Sequence, residues 1–256
     1  MPIINQVVAG GGTTPTGTIN ITSNGTTDVT QYASANVNVV PALSMQYRNV
    51  NGTLQQPNTF IDLTGVTDLS DNVLYSAFYA NLLVSSVDCS SLTSVSGSYA
   101  LSYAFNYSNV VTADFSNLST VSGDCAFEGT FSGTRINSIN FNSLTTISGY
   151  RPFSSCFSSC QLLTSLSFPS LSNISGEGAM AYCFESCVNL TTLSFPALTS
   201  TSFGSYTNQF DGLMSAVTGC TIHFPSNLQA TIATLDGYPD FGGTNTVLAF
   251  DLPATE

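Results

Sequence analysis

The sequence predicts a repeat solenoid, a β/α solenoid of about seven coils of roughly 26–27 residues each. Two observations carry this prediction. The phrase LTSLSFPSL at 163–171 returns, slightly altered, as LTTLSFPAL at 190–198. Related apolar phrases recur at nearly the same spacing, with third positions at Leu63, Cys89, Phe115, Phe141, Phe168, Phe195 and Phe224. A unit this short cannot bury its apolar face alone, so successive units must stack on one another.

Each repeat contains a second apolar cluster, which lies in the second half of the unit. It is marked by Tyr79, Phe105, Phe131, Phe157 and Phe184. Ser-Gly pairs between the two clusters indicate turns. We therefore expect each coil to place a strand on one side of the solenoid and a short helix or turn on the other.

The rest of the chain is divided around this array. We predict a leader at 1–14, a small β module at 15–42, a linker or N-terminal cap at 43–59, the solenoid at 60–225 and a C-terminal cap at 226–256. A β module of this size is marginal alone and should pack on another element. The cap should cover the apolar surface that an open solenoid end would expose.

The cap carries its own local signals. Ser226 is a residue type that favours the start of a helix, and Leu228, Ile232 and Leu235 would share one face of that helix. The alternating stretch at 247–252 predicts a last strand.

Charge excludes two classes of partner. Only 7% of the residues are charged, the net charge is −12, and the three cations are Arg48, Arg135 and Arg151. Nucleic acids and anionic membrane surfaces both require clustered Lys and Arg, which this chain lacks. No run approaches the ~18 apolar residues that a membrane-spanning helix needs. The first residues lack the features of a signal peptide, so we expect synthesis in a bacterial cytoplasm without one.

Four of the seven cysteines repeat with one spacing. Cys156 and Cys160 are followed one repeat later by Cys183 and Cys187. Four thiolates can bind zinc, but one repeat position stacked in adjacent coils predicts a ladder of small buried thiols instead. We favour the buried ladder, and we expect no metal and no cofactor.

A polar stripe is the first candidate binding site. The outward strand position of successive repeats is occupied by Asp62, Asp88, Asp114, Asn140, Ser167 and Ser194, followed by His223. Strand side chains alternate between the two faces, so these residues should line one exposed face. The stripe is either a surface for a ligand or Ca²⁺, or a solvated face. His223 is the single histidine, and we expect a surface residue.

A group of tyrosines is the second candidate site. Tyr79, Tyr103 and Tyr107, together with Tyr75 and Tyr99, lie in the second halves of the first two coils. Tyrosine combines a large contact area with a polar tip, which suits recognition of sugars or proteins. Packing between coils is the open alternative.

The repeat also carries a resemblance to a known family. From Cys160 to Phe184 the chain follows the phrase C-x-x-L-T-S-L-x-F-P-S-L-x-x-I-x-G-x-x-A-x-x-x-C-F, which resembles the BspA-like bacterial leucine-rich repeats. The resemblance spans roughly 60–225 and implies a leucine-rich-repeat-like solenoid. The first two repeats depart from it, with Leu63 and Cys89 in place of Phe. Residues 15–40 also resemble a short module of phage and prophage tail proteins of Gram-positive bacteria.

These observations favour a non-enzymatic binding protein. The expected role is a receptor-binding component of a phage tail, located in the virion or outside the cell. Its expected partners are a host cell-surface glycan or protein, other virion proteins and further copies of itself. The alternatives are a bacterial surface adhesin with the same repeats and a structural fibre or decoration subunit of a virion. An enzyme is not expected, because glycan hydrolysis requires paired carboxylates in a cleft.

Overall fold

The computed structural model describes residues 18–20, 59–63, 66–69, 71–82, 84–199, 203 and 205–255, with backbone alone at 18–20 and 59–62. These residues form a parallel β-solenoid of about six turns with almost no helix. The predicted leader, the predicted linker except Thr59, and the predicted β module except 18–20 lie outside the described residues.

Strands of two lengths alternate along the chain. The longer ones are β1 Thr18–Asn20, β2 Thr59–Asp62, β3 Val84–Asp88, β5 Thr112–Asp114, β7 Ser138–Asn140, β9 Ser165–Ser167, β11 Thr192–Ser194, β12 Thr221–Pro225 and β13 Val247–Leu252. Four two-residue strands lie between them: β4 Ser94–Val95, β6 Thr120–Val121, β8 Thr146–Ile147 and β10 Asn173–Ile174. The one described helix, α1, spans Gln229–Ile232.

Pairing between strands is parallel throughout and follows the repeat. One sheet has the order β1-β2-β3-β5-β7, a second has β13-β12-β11-β9, and the short strands form a third with the order β10-β8-β6-β4. Asp88 pairs with Asp114 and Asp114 with Asn140, so equivalent repeat positions face one another. We call the surface of the longer strands the long-strand face. The period of the sequence is thus the length of one turn of the solenoid.

The side opposite the strands consists of consecutive turns rather than helices. Six turn segments, which we number 1 to 6 in chain order, form this turn face: 71–82, 98–108, 124–134, 150–160, 177–187 and 208–217. In segment 2 the N–H of Ala104 donates to the carbonyl of Leu101 at 2.9 Å, which closes a β-turn, whereas the N–H of Leu101 donates to the carbonyl of Ala126 in segment 3 at 2.8 Å. Local and inter-turn hydrogen bonds alternate in this way along the segment, so buried backbone groups are satisfied without helix or strand.

Left-handed residues recur every fourth position in this turn face. Positive φ angles of 51–68° occur at Tyr99, Tyr103 and Tyr107, at Cys125, Gly129 and Gly133, and at Arg151, Ser155 and Ser159. The exposed tyrosines Tyr99 and Tyr107 occupy such positions, whereas the two residues that follow Tyr99 and Tyr103 are buried in the core. Of the predicted helix or turn, the turn is therefore the form found, because regular positive φ angles exclude an α-helix.

Stacked phenylalanines fill the interior. One ladder runs through Phe78, Phe105, Phe131, Phe157 and Phe184, with ring centroids 5.2–5.8 Å apart. A second runs through Phe115, Phe141, Phe168, Phe195 and Phe224 at 5.3–5.8 Å. All ten rings are buried. Both apolar positions predicted for the repeat therefore stack in register, except that Phe78 rather than the predicted Tyr79 begins the first ladder, while Tyr79 is exposed. Each turn buries its rings against its neighbours.

The C-terminal end differs from the prediction in one detail. Helix α1 has Leu228 as its N-cap residue, without a side-chain cap, so the predicted cap at Ser226 is wrong. Leu228, Ile232 and Leu235 are buried, as their common face predicted. Strand β13 has the predicted bounds and pairs in parallel with β12. Among the described residues, no helix is long and apolar enough to cross a membrane.

Candidate functional site: the polar stripe and the tyrosine patch

The acidic part of the predicted polar stripe lies in register on the long-strand face. Asp62 pairs with Asp88, Asp88 with Asp114, and Asp114 with Asn140. The side chain of Asp62 is outside the described part. Inward neighbours such as Val87 are buried, whereas Asp88, Asp114 and Asn140 are half-buried.

These side chains also have a structural task that the sequence analysis did not foresee. Asp88 Oδ1 accepts the N–H of Ser90 at 2.9 Å, and Asp114 Oδ1 accepts that of Ser116 at 2.8 Å. Asn140 repeats the contact with the N–H of Asn142 at 3.0 Å. Each one therefore closes a local turn that ends its strand. Within the described residues, no group of three or more His, Cys, Asp or Glu is placed to hold a metal ion.

The stripe continues with hydroxyls and ends in a contact between a histidine and a carboxylate. Ser194 pairs with Ser167 in register, and its hydroxyl donates to Ser167 Oγ at 2.8 Å. His223 pairs with Ser194 in register, and its Nδ1 lies 2.8 Å and 3.0 Å from the two carboxylate oxygens of Asp251. Sequence reasoning missed Asp251, although it lies 28 residues after His223, close to one repeat.

The predicted tyrosines come together on the turn face. Tyr75 packs edge-on against Tyr99 at 6.3 Å and Tyr103 at 6.4 Å, and Tyr79 packs against Tyr107 at 6.0 Å between centroids. We call these five residues the tyrosine patch. Tyr79 and Tyr107 remain 53% and 57% exposed, so the patch offers aromatic and phenolic surface to a partner.

The next turn is shaped to receive two of these rings. Tyr103 lies over Gly129, and Tyr107 lies over Gly133. A Cβ atom at either glycine would come within 2.5 Å of the ring above it, and both glycines have positive φ. The two tyrosine rings therefore lie flat across segment 3, where only glycine leaves room for them.

One phenol of the patch and a thiol beside it have raised pKa values. Burial, and then the neighbouring Glu128, raise the pKa of Tyr103 to about 12. The same two causes raise the pKa of the adjacent Cys125 thiol to about 11. Tyr103 therefore stays a neutral phenol at physiological pH.

The cysteines form the predicted buried ladder. All seven are buried, and none forms a disulfide bond. The thiol of Cys160 donates to the carbonyl of Phe131 at 3.1 Å, and that of Cys187 donates to the carbonyl of Phe157 at 2.9 Å. Burial raises the pKa of both thiols, to about 11 for Cys160. Protonated, inaccessible thiols are poor nucleophiles and poor ligands, so they serve the core.

Because these thiols have raised pKa values in the folded chain, we expect the protein to lose stability at alkaline pH. Below about pH 8.5 the thiols are protonated in both the folded and the unfolded chain, and their contribution to stability is full. Above that pH the unfolded chain loses protons that the folded chain retains, so stability falls as the pH rises toward 11, the pKa of Cys160 in the folded chain. We expect the urea midpoint to decline between pH 8.5 and 10 under reducing conditions.

The matched variant is Cys160→Thr with Cys187→Thr, because Thr134 occupies the equivalent position one turn earlier and donates to the same carbonyl of Phe131. Its midpoint should decline less steeply than that of the wild type. Equal slopes in the two proteins would show that these thiols do not govern the alkaline limit.

The fold and these two surfaces define a class, the parallel β-solenoid with a polar strand stripe and an aromatic turn face. No model of a known protein family, no curated protein and no solved structure matches the chain.

Proposed function

We propose that this solenoid is a non-enzymatic binding protein, the receptor-binding component of a phage or prophage tail, and that its tyrosine patch contacts the host surface. The resemblance of residues 15–40 to tail proteins supports the location. The repeat surface supports recognition rather than catalysis. The observation that carries the proposal is the backbone conformation of the patch.

Three of the patch tyrosines occupy unfavourable backbone positions. Tyr99, Tyr103 and Tyr107 have φ angles of 54–56°. An L-residue in the left-handed region costs about 1–2 kcal/mol, and glycine or asparagine lowers that penalty. Positive φ recurs in every turn segment, mostly at glycine, serine or another small residue, whereas segment 2 has a tyrosine at all three positions. Strained residues that the fold does not require concentrate at functional sites. The rings therefore stand where stability alone would favour a smaller residue.

The same turn contains unpaired polar atoms. The side-chain oxygens Ser102 Oγ, Asn106 Oδ1 and Ser108 Oγ are buried and have no hydrogen-bond partner among the described residues. Ser102 and Asn106 directly precede Tyr103 and Tyr107. Unsatisfied groups cost about 1–3 kcal/mol each unless water or a ligand reaches them. Strain and unsatisfied polarity thus coincide at the tyrosine patch.

We also propose a finer assignment of the fold than parallel β-solenoid. The phrase from Cys160 to Phe184 supports a relationship with the BspA-like leucine-rich repeats, in which each coil begins with a strand and an apolar ladder. Counting β12 as the start of a seventh coil is part of the same proposal. The turn face then takes the place of the helical side of such repeats.

Replacing Tyr99 and Tyr107 with asparagine tests the proposed surface. Asparagine tolerates positive φ, so the double variant should keep or slightly raise its thermal midpoint while losing binding to intact Gram-positive cells. Binding of the labelled protein to a panel of such cells is the measurement. Tyr206→Asn, which removes another exposed tyrosine, serves as the control and should leave binding unchanged.

A second pair of variants tests the polar stripe in the same assay. In Asp88→Asn and Asp114→Asn the amide oxygen can still accept the N–H that closes each turn, and only the charge is lost. Binding that is lost in these variants but retained in the tyrosine variant would contradict the proposal and move the site to the long-strand face.

One observation favours a structural virion subunit as the second candidate. Strand β13 pairs with β12 along one edge, and no described strand pairs with its other edge. Val247 on this strand is 54% exposed. An open strand edge is a template for pairing with another chain. Association that grows with concentration, without binding to any cell, would favour this candidate.

A further inference from the structure

A second feature of the turn face is a polar pocket of about 210 Å³, which spans segments 4 to 6. Tyr150 and Arg151 of segment 4, Glu177 and Gly178 of segment 5, and Asn208 and Asp211 of segment 6 line it. The sequence analysis did not predict this pocket.

A local change in the repeat opens the pocket. Tyr182 lies over Gly212, so segments 5 and 6 are offset by 30 residues, more than one ordinary repeat. At the edge of these segments the N–H of Gly178 donates to the side-chain oxygen Asn208 Oδ1 at 3.1 Å rather than to a backbone carbonyl. Backbone hydrogen bonds still join the two segments from Met180 to Ser186, so the departure from the repeat is confined to the Gly178 end, where the pocket lies.

Position 178 is a glycine, so no side chain from it fills the pocket. Gly178 has a φ of +58°, and a Cβ atom there would lie 3.2 Å from Arg151 Cγ. Any larger residue would press on the arginine and fill the space. Glycine thus provides both the backbone conformation and the room.

The pocket presents donors and acceptors side by side. The Arg151 guanidinium lies 5.9 Å from the centre of the Tyr150 ring. It forms no ion pair within 4 Å with any described carboxylate, although Glu177 and Asp211 line the same pocket. Its N–H groups are therefore free to donate to a ligand, and the two carboxylates are free to accept from one.

This charge pattern selects a neutral polyhydroxylated ligand. Two carboxylates oppose an anion such as phosphate, and the guanidinium opposes a simple cation. Neighbouring hydroxyls on one ring can donate to a carboxylate and accept from the guanidinium at the same time. The volume is below the roughly 300–1,000 Å³ of pockets for drug-sized ligands, which limits the occupant to about one sugar ring.

We propose that this pocket binds one neutral pyranose unit of a surface polysaccharide. The proposal rests on the binding function proposed above and names the ligand's chemical class. Tyr99 and Arg151 occupy the same position two turns apart, a separation of about 10 Å at ~4.8 Å per turn. One oligosaccharide chain can therefore contact the tyrosine patch and the pocket together.

Ligand-observed NMR with single sugars tests this assignment. The panel contains glucose, galactose, mannose and N-acetylglucosamine, with glucuronic acid and glucosamine as charged counterparts. We expect at least one neutral sugar to bind the wild-type protein more tightly than either charged sugar. Arg151→Asn, which suits the positive φ at that position, and Asp211→Asn should each weaken binding about tenfold or more, the effect of losing a charged hydrogen bond.

Arg135→Asn is the matched control, because it removes the same charge from an exposed position outside the pocket. Its affinity should equal that of the wild type. The assignment is overturned if no neutral sugar binds, if a charged sugar binds more tightly, or if Arg151→Asn binds as the wild type does.

The cell assay separates this inference from the proposed function. Loss of cell binding in the tyrosine variant with no loss in Arg151→Asn would leave the receptor-binding role intact and remove the pocket from it. Sugar binding at the pocket without binding to any cell would retain the pocket and overturn the receptor-binding role.

Discussion

Gly123→Ala is expected to prevent folding or to lower the free energy of unfolding by more than about 3 kcal/mol, the upper end of the range for overpacking. A Cβ atom at position 123 would overlap the carbonyl oxygen of Gly97 in the preceding turn. The backbone there has little freedom to move, because the N–H of Gly97 donates to the carbonyl of Leu69 at 2.9 Å. A Cβ atom at position 176 would overlap the carbonyl oxygen of Gly149 in the same way.

Gly219→Ala is the control for this prediction. Gly219 has a φ of +74°, and its Cβ would meet nothing within 4 Å, so alanine there adds only left-handed backbone strain of about 1–2 kcal/mol. Urea unfolding of both variants is the measurement. A Gly123→Ala midpoint equal to that of Gly219→Ala would show that the turns can separate to admit a methyl group.

Phe131→Ala should lower the free energy of unfolding by about 3–5 kcal/mol, the range for removing a buried phenylalanine. Its ring stacks on Phe105 at 5.6 Å and on Phe157 at 5.8 Å, and it is edge-on to Phe115 at 6.1 Å. Regular inter-turn hydrogen bonds hold the backbone on both sides, so the cavity cannot collapse. Because each turn contacts only its neighbours, the loss also weakens coupling between the two halves of the solenoid.

Phe250→Ala, at the end of the array of stacked rings, is the control for Phe131→Ala. Phe250 is only partly buried and stacks on Phe224 at 5.8 Å at the end of the array, so Phe250→Ala should have a much smaller effect. Chemical unfolding should show a lower midpoint for Phe131→Ala, with a broader transition if the halves uncouple. Equal losses for the two variants would contradict nearest-neighbour coupling in this solenoid.

The conformation of the turn face shows where sequence reasoning reached its limit. Apolar residues in segment 2 recur at Leu101 and Phe105, and this spacing fits one face of a helix almost as well as consecutive turns. The difference lies in the sign of φ at Tyr99, Tyr103 and Tyr107, and bulky residues give no signal for positive φ. Gly129 and Gly133 at the equivalent positions of the next turn carried the local clue.

Periodicity in the sequence was enough to define the stacking of the turns and the inner and outer face of each strand. In a parallel array in register, residues one repeat apart become neighbours, so the spacing of Phe115 and Phe141 alone predicted their contact. It also predicted the order of the polar stripe and the burial of the thiols.

The shape and chemistry of the surfaces, in contrast, depend on packing between turns. The edge-to-face tyrosines, the His223–Asp251 pair and the pocket beside Arg151 are all built from side chains of different turns. Small departures from the repeat length set those contacts, as the longer spacing at Gly212 does for the pocket. A periodic pattern specifies which turns meet, but the distances between their side chains follow from the backbone geometry of both turns together.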